Sequence, residues 1–271
     1  MKQIFIFGLI MVFVCLIAWS LQPDKTIAQV PQTQKTDVKK TSNTNQKTPV
    51  LVELFTSEGC SSCPPADRVL SQLEKEQTNP DVEIITLALH VDYWNYLGWK
   101  DEFSAAGYSE RQRGYAEKFK LDSIYTPQMV VDGQTQFVGS NLGTAQRAIG
   151  EAAKTSKTNI EFSTEKEGEL KVKISDLPAG ENSYVWLAIA EDNLKTSVKR
   201  GENSGRTLAH VSVVREMKLL GNIASTDKNF ETEVEFKLSA DWKKENVKFI
   251  AFVQGEKTKR IFAVNKYKLN G

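Results

Sequence analysis

Cysteine is scarce in this 271-residue chain, and its scarcity is informative. Of three cysteines, Cys15 lies in an N-terminal apolar run, which leaves Cys60 and Cys63 for the folded body. A disulfide-stapled scaffold needs several bridges spread along the chain, so that class is excluded. A four-ligand zinc site is not spelled out, because there is no second Cys pair. Net charge is also nearly absent: 35 Lys and Arg against 34 Asp and Glu leave +1. No basic helix or aromatic-studded basic strand appears, so nothing gathers nucleic acid or an anionic membrane surface, and no nucleic-acid partner is expected. No internal repeat is visible. With 40% hydrophobic and 25% charged residues, the composition is that of a soluble globular protein of one or two domains.

Residues 4–21 form an almost unbroken apolar run preceded by Lys2. After it, Thr26-Ile27-Ala28 places small residues where signal peptidase cuts, which predicts cleavage before Gln29. Bulky Val14 before Cys15 disfavours a lipoprotein site. Residues 1–28 therefore read as a signal peptide, with an uncleaved N-terminal anchor as the alternative; Lys25, Lys35, Lys39 and Lys40 beyond the run argue against the anchor. Either way the body is expected in an oxidising, extracytoplasmic compartment, periplasmic or secreted, touching the membrane only through that segment. Residues 29–48, rich in Gln, Thr, Lys and Asn, read as a flexible linker.

From residue 49 the apolar pattern is that of an α/β unit. Val50-Leu51-Val52-Glu53-Leu54-Phe55 predicts a strand covered on both faces. Ala66, Val69, Leu70 and Leu73 have helical spacing, and 82–89 predicts a second buried strand. Residues 101–119 read as a helix, with Arg111 and Arg113 on a solvated face. Asp132-Gly133 between two short apolar runs predicts a hairpin, and Leu142, Ala145, Ile149 and Ala152 a closing helix. Beyond residue 158 the helices stop. Short alternating segments such as Leu170, Val172, Ile174 and Val234, Phe236, Leu238 predict a smaller antiparallel β-sandwich of immunoglobulin type over 158–271, after the α/β domain of 49–157.

The chemistry-bearing motif is Glu58-Gly59-Cys60-Ser61-Ser62-Cys63-Pro64-Pro65, between the first strand and the first helix. A thiolate at a helix N-terminus faces unpaired N–H groups and the positive end of the helix dipole, which lower its pKa. Cys60, the outer residue, is expected to attack a client disulfide, and Cys63, more buried, to resolve the mixed disulfide. Pro64 and Pro65 suit a first turn whose N–H groups lack intrahelical partners. A structural disulfide or half of a metal site are the alternatives.

The order of elements, the C-x-x-C opening the first helix, and Pro127 entering the third strand resemble the thioredoxin superfamily. The stretch Glu53-Leu54-Phe55-Thr56-Ser57-Glu58-Gly59-Cys60-Ser61-Ser62-Cys63-Pro64-Pro65-Ala66-Asp67 is similar to a family of secreted bacterial thioredoxin-like proteins of unassigned function. His90-Val91-Asp92-Tyr93-Trp94, Glu110-Arg111-Gln112 and Tyr125-Thr126-Pro127-Gln128-Met129 add to the match. The resemblance implies a thioredoxin fold, a redox-active Cys60–Cys63 disulfide, and a cis Thr126-Pro127 bond where a client chain pairs, with Trp94 alongside. Ser61-Ser62 stands where thioredoxin has Gly-Pro, which leaves the direction of electron flow open. Glu53 resembles the buried carboxylate that takes the proton of the resolving cysteine; a carboxylate at a sheet margin is the alternative.

His90 and Asp92 end the second strand, at the edge where α/β sites collect. His90, Tyr93, Trp94 and Trp99 are expected to wall the site, and His210 to be structural. The activity expected is thiol–disulfide exchange on secreted or periplasmic proteins, with an unknown redox partner and no dissociable cofactor. The rivals are a copper or zinc metallochaperone using Cys60, Cys63 and His90, and a non-enzymatic binding module with an inert disulfide.

Overall fold

The structure, a computed structural model, describes residues 47–77 and 79–269. The apolar run at 4–21, Cys15, the cleavage site before Gln29 and nearly all of the linker lie outside the described residues. Strand β1 (Thr48–Thr56) is buried from Val50 onward. Val50, Val52 and Leu54 share a core with Val69, Leu70 and Leu73 of helix α1 (Pro64–Glu76), whereas Leu51 and Phe55 share another with Tyr108 and Tyr115 of helix α2 (Ala106–Phe119). A strand covered on both faces has no solvated side, which is why its sequence does not alternate. Strand β2 (Val82–His90) lies parallel to β1, with Val50 opposite Ile84 and Thr56 opposite His90. Strand β3 (Gln128–Val131) pairs antiparallel with β1 on its other side and turns into β4 (Thr135–Val138).

The Asp132-Gly133 hairpin forms where its chemistry predicted it, with φ of 48° and 65°. Gly133 is required twice over, since an added Cβ would lie 1.9 Å from the carbonyl oxygen of Lys259. Helix α3 (Leu142–Ala152) follows, its N-terminus capped by Asn141 accepting from the Thr144 N–H at 2.9 Å.

Strands β5 (Ile160–Ser163), β6 (Glu169–Ile174), β7 (Ser183–Glu191), β8 (Leu194–Ser197), β9 (Thr207–His210), β10 (Val213–Ile223), β11 (Phe230–Glu235), β12 (Val247–Gly255) and β13 (Ile261–Lys268) complete the chain. They do not make a separate sandwich. Strand β10 joins the free edge of β2 in parallel at Val213 and Ala88, and β7, β12 and β13 extend from it antiparallel. The result is one eight-stranded mixed sheet, ordered β13-β12-β7-β10-β2-β1-β3-β4. This corrects the expected thioredoxin fold with a smaller immunoglobulin-like domain behind it. The described residues fall in a single compact unit.

The sheet curls so that its far end returns to the β3–β4 turn, where the Ile261 N–H donates to the Asp132 carbonyl at 3.2 Å. Inside the curl, Leu51, Phe55, Leu87, Ala190, Phe252 and Val264 meet α2 in one core. A three-stranded sheet, β11-β6-β5, covers the opposite face of β7 and β12 through Leu170, Val172 and Ile174. The two-stranded β8–β9 hairpin belongs to neither sheet. No helix among the described residues is long and apolar enough to cross a membrane.

Candidate functional site

Cys60 and Cys63 are joined as a disulfide, with Cα atoms 5.4 Å apart. Cys63 is the N-cap of α1 and the two prolines fill its first positions, as the motif predicted. The Cys63 carbonyl accepts from the N–H groups of Ala66 and Asp67 at 2.8 and 3.1 Å. One expectation is corrected: Cys60 is no more exposed than Cys63, and both are fully buried. A segment far away in sequence bonds to this stretch. Asn203, from the turn between β8 and β9, donates its side-chain amide to the carbonyls of both Glu58 and Cys60 at 2.9 Å. Glu202 beside it accepts from the Ser61 N–H at 2.9 Å.

The proposed client-binding residues do converge. Thr126-Pro127 is cis. The Trp94 indole donates to the Thr126 hydroxyl at 2.8 Å. An added Cβ on Gly59 would stand 3.2 Å from the Trp94 Cβ, so Trp94 packs against the residue that precedes the first cysteine. Gln112 braces the wall from α2, donating to the Tyr125 carbonyl at 2.7 Å and accepting from Tyr93 at 3.1 Å. Trp99, also expected in the wall, donates to Glu58 at 2.8 Å.

Glu53 does not converge. Side chains alternate across a strand, and Glu53 falls on the α2 face with Leu51 and Phe55, away from α1. There it accepts from Arg111 at 2.5 Å and from the Tyr115 hydroxyl. Arg111 is accordingly buried, against expectation, whereas Arg113 is half exposed. A residue drawn inward by a carboxylate looks the same in sequence as one on a solvated face.

What lies on the α1 face is a buried ionisable cluster that sequence reasoning mostly missed. Asp67 follows Cys63 by one helical turn, on the same face, and accepts from the Thr56 hydroxyl at 2.8 Å. The signal was an acid among the apolar positions Ala66, Val69 and Leu70. His90 Nδ1 and Asp101 Oδ2 are 2.7 Å apart, and that same oxygen accepts from the Glu58 N–H at 2.9 Å. His210, expected to be structural, is instead drawn to the site at 3.2 Å from Glu58, its ring 5.0 Å from that of His90. His90 Nε2 is buried with no hydrogen-bond partner among the described residues. Among those residues, with Cys60 and Cys63 bonded to each other, no three His, Cys, Asp or Glu side chains are placed to hold a metal ion.

Burial raises the pKa of Asp67, opposed by the charges of His210 and His90 and by the Thr56 hydrogen bond. For His90, burial acts to depress the pKa, but Asp101, with Asp67 and Glu58, more than offsets it and the net shift is upward. Asp101 is the converse: burial opposes its ionisation, and His90 and the bound N–H groups lower it overall. A carboxyl with a raised folded pKa binds its proton more tightly folded than unfolded. Its stabilising contribution is therefore present at low pH and lost as pH rises from the ordinary value of 3.8 through the raised one. Asp67→Asn, which keeps an acceptor for Thr56, is expected to melt higher than the wild type above that window, with the difference vanishing as pH falls below it. Thermal unfolding from pH 3 to 8 checks this; a difference that does not change with pH would rule it out.

A family described as "Protein of unknown function (DUF1223)" matches residues 51–254, and the chain belongs to that family. None of the curated proteins compared matches it. Among solved structures, it is similar to a structural-genomics protein of Agrobacterium tumefaciens, at 23% identity over 83% of this chain and 96% of that one, TM-score 0.66. It is also similar to HBP35 of Porphyromonas gingivalis, at 16% identity over 83% of this chain and 76% of that one, TM-score 0.55. At these identities the likeness is one of fold.

Proposed function

We propose that this member of a family of unknown function exchanges thiols and disulfides with protein clients outside the cytoplasm, through Cys60 and Cys63. One observation carries the reading: the two cysteines, at the N-terminus of α1, are bonded to each other beside the Trp94–Thr126-Pro127 wall. An inert staple needs no such wall, and a bond closing so short a loop removes little chain entropy from the unfolded state. The apolar run at 4–21 supports an oxidising compartment, where such a pair turns over rather than staying reduced.

The exchange runs in two balanced steps. The Cys60 thiolate attacks one sulfur of a client disulfide; that bond breaks, a Cys60–client disulfide forms, and the client's other sulfur leaves as a thiolate. The Cys63 thiolate then attacks Cys60 Sγ, closing the Cys60–Cys63 disulfide and releasing the client's second thiolate. Two electrons pass from the pair to the client, and a dithiol partner in the same compartment restores the pair. Run backwards, the steps oxidise a client dithiol.

Removing the resolving cysteine halts the cycle after its first step. In the native compartment, Cys63→Ala is expected to accumulate thiol-sensitive adducts, visible on non-reducing gels after acid quenching and alkylation, while Cys60→Ala yields few. Equal adducts in the two lanes would refute the exchange mechanism.

A further inference from the structure

The turn at residues 198–206 occupies backbone groups of the segment that carries the first cysteine. Asn203 is fully buried and its amide bridges two carbonyls, of Glu58 and Cys60; Glu202 accepts from Ser61 N–H. Gly201, at φ 74°, brings the turn against Trp99, where an added Cβ would be 3.2 Å from the Trp99 Cβ. The turn keeps its own shape. Val198 N–H donates to Arg206 O at 2.9 Å, Gly205 N–H to Val198 O at 2.8 Å, and Arg206 to the Asn203 side-chain oxygen at 3.0 Å. Lys199, Arg200, Glu202, Ser204 and Arg206 are exposed. The bonds across to 58–61 are three polar contacts, and β8–β9 adds no strand to either larger sheet. Lifting the turn therefore breaks few bonds and leaves both sheets intact.

We propose that residues 198–206 are a self-inhibitory cover that admits extended polypeptide clients and holds off small thiols. A polypeptide offers amide N–H donors to replace Asn203 and a carbonyl to replace Glu202, so it compensates for the bonds it breaks. A small thiol offers neither, and waits for the turn to open by itself. Its observed rate is then the intrinsic rate multiplied by the open fraction. The inference takes its purpose from the exchange reading, but its test is independent of any client.

Dithiothreitol supplies that test. One of its thiolates attacks a sulfur of the pair and the Cys60–Cys63 bond breaks; its second thiolate then closes the reagent's ring disulfide. Two electrons and two protons pass to Cys60 and Cys63. The second-order rate, read by quenched alkylation and mass, is expected to rise about tenfold or more in Asn203→Ala, which loses two hydrogen bonds across the cover. A smaller rise is expected in Glu202→Ala, whose side chain is exposed and whose loss does not threaten folding. Wild-type rates in both variants overturn the cover. So does a folded wild type that is reduced as fast as the same protein unfolded in urea. If Asn203→Ala does not fold, the absence of any acceleration in Glu202→Ala overturns it alone. Adducts absent from Cys63→Ala, with acceleration in Asn203→Ala, would leave the cover standing and remove the exchange reading; the opposite pair of results would do the reverse.

Discussion

Lys248→Ala is expected to lower the unfolding free energy by about 3 kcal/mol or more, the usual cost of removing one partner from a buried ion pair. The lysine side chain is 1% exposed, with Nζ 2.7 Å from Glu74, 3.1 Å from Asp192 and 2.7 Å from the Ser212 hydroxyl. These partners come from α1, from the loop after β7 and from the entry to β10. They meet where the sheet is thinnest: β10 joins β2 through the single registered pair Val213–Ala88, reinforced by Ala88 N–H donating to Ser212 O at 2.8 Å. Thr86 closes the network, donating to Glu74 at 2.7 Å and lying 2.6 Å from Ser212 Oγ. Without the ammonium, two carboxylates face each other across a nearly dry seam. Glu74 and Asp192 keep 14% and 18% of their side-chain surface, so some hydration remains and the loss belongs at the low end of the range. Urea unfolding measures it; a loss below about 1 kcal/mol would mean that the seam is held by backbone pairing alone.

Arg111→Met should cost about 3–5 kcal/mol, because it strands the charge of Glu53, which is 1% exposed. The guanidinium also donates to Gln254 at 3.0 Å and to Tyr115 at 3.1 Å, and lies over the Phe252 and Trp186 rings at 5.1 and 5.8 Å. A methionine restores part of the packing and none of the charge. Adding Glu53→Gln should recover most of the loss, and a double-mutant cycle reads the coupling. Glu53→Gln alone should leave the dithiothreitol rate at Cys60–Cys63 unchanged, since the two lie on opposite faces of β1. A slowed rate would return Glu53 to the redox site.

How much of this was legible differs by element, for physical reasons. The path from β1 to α3 could be read because local rules act there: helical spacing in α1, an Asp-Gly turn, prolines at a helix start. The C-terminal half misleads because its alternating segments predict a half-solvated sandwich to which β7 and β12 do not belong. Their text argued otherwise. Leu187-Ala188-Ile189-Ala190 and Phe249-Ile250-Ala251-Phe252 do not alternate, and in the structure each run is buried on both faces, between the α2 core and the three-stranded sheet. Period alone says that a strand is doubly covered. It does not say whose helix covers it.

The same limit applied within the site. By itself the sequence determined that two cysteines open a helix after a buried strand and that the net charge is close to zero. Those follow from spacing and composition, whereas only a resemblance to a family pointed to Trp94 and Thr126-Pro127 as their neighbours. Only the tertiary structure decided that both cysteines are buried, that Asn203 bonds to the Cys60 carbonyl, that Asp67, His90, Asp101 and His210 gather on the α1 face, and that Glu53 faces the other way. Those facts depend on strand register, on which face a side chain takes, and on a hairpin some 140 residues distant. Contacts closed over such separations leave no period in the chain, because nothing between the partners has to repeat.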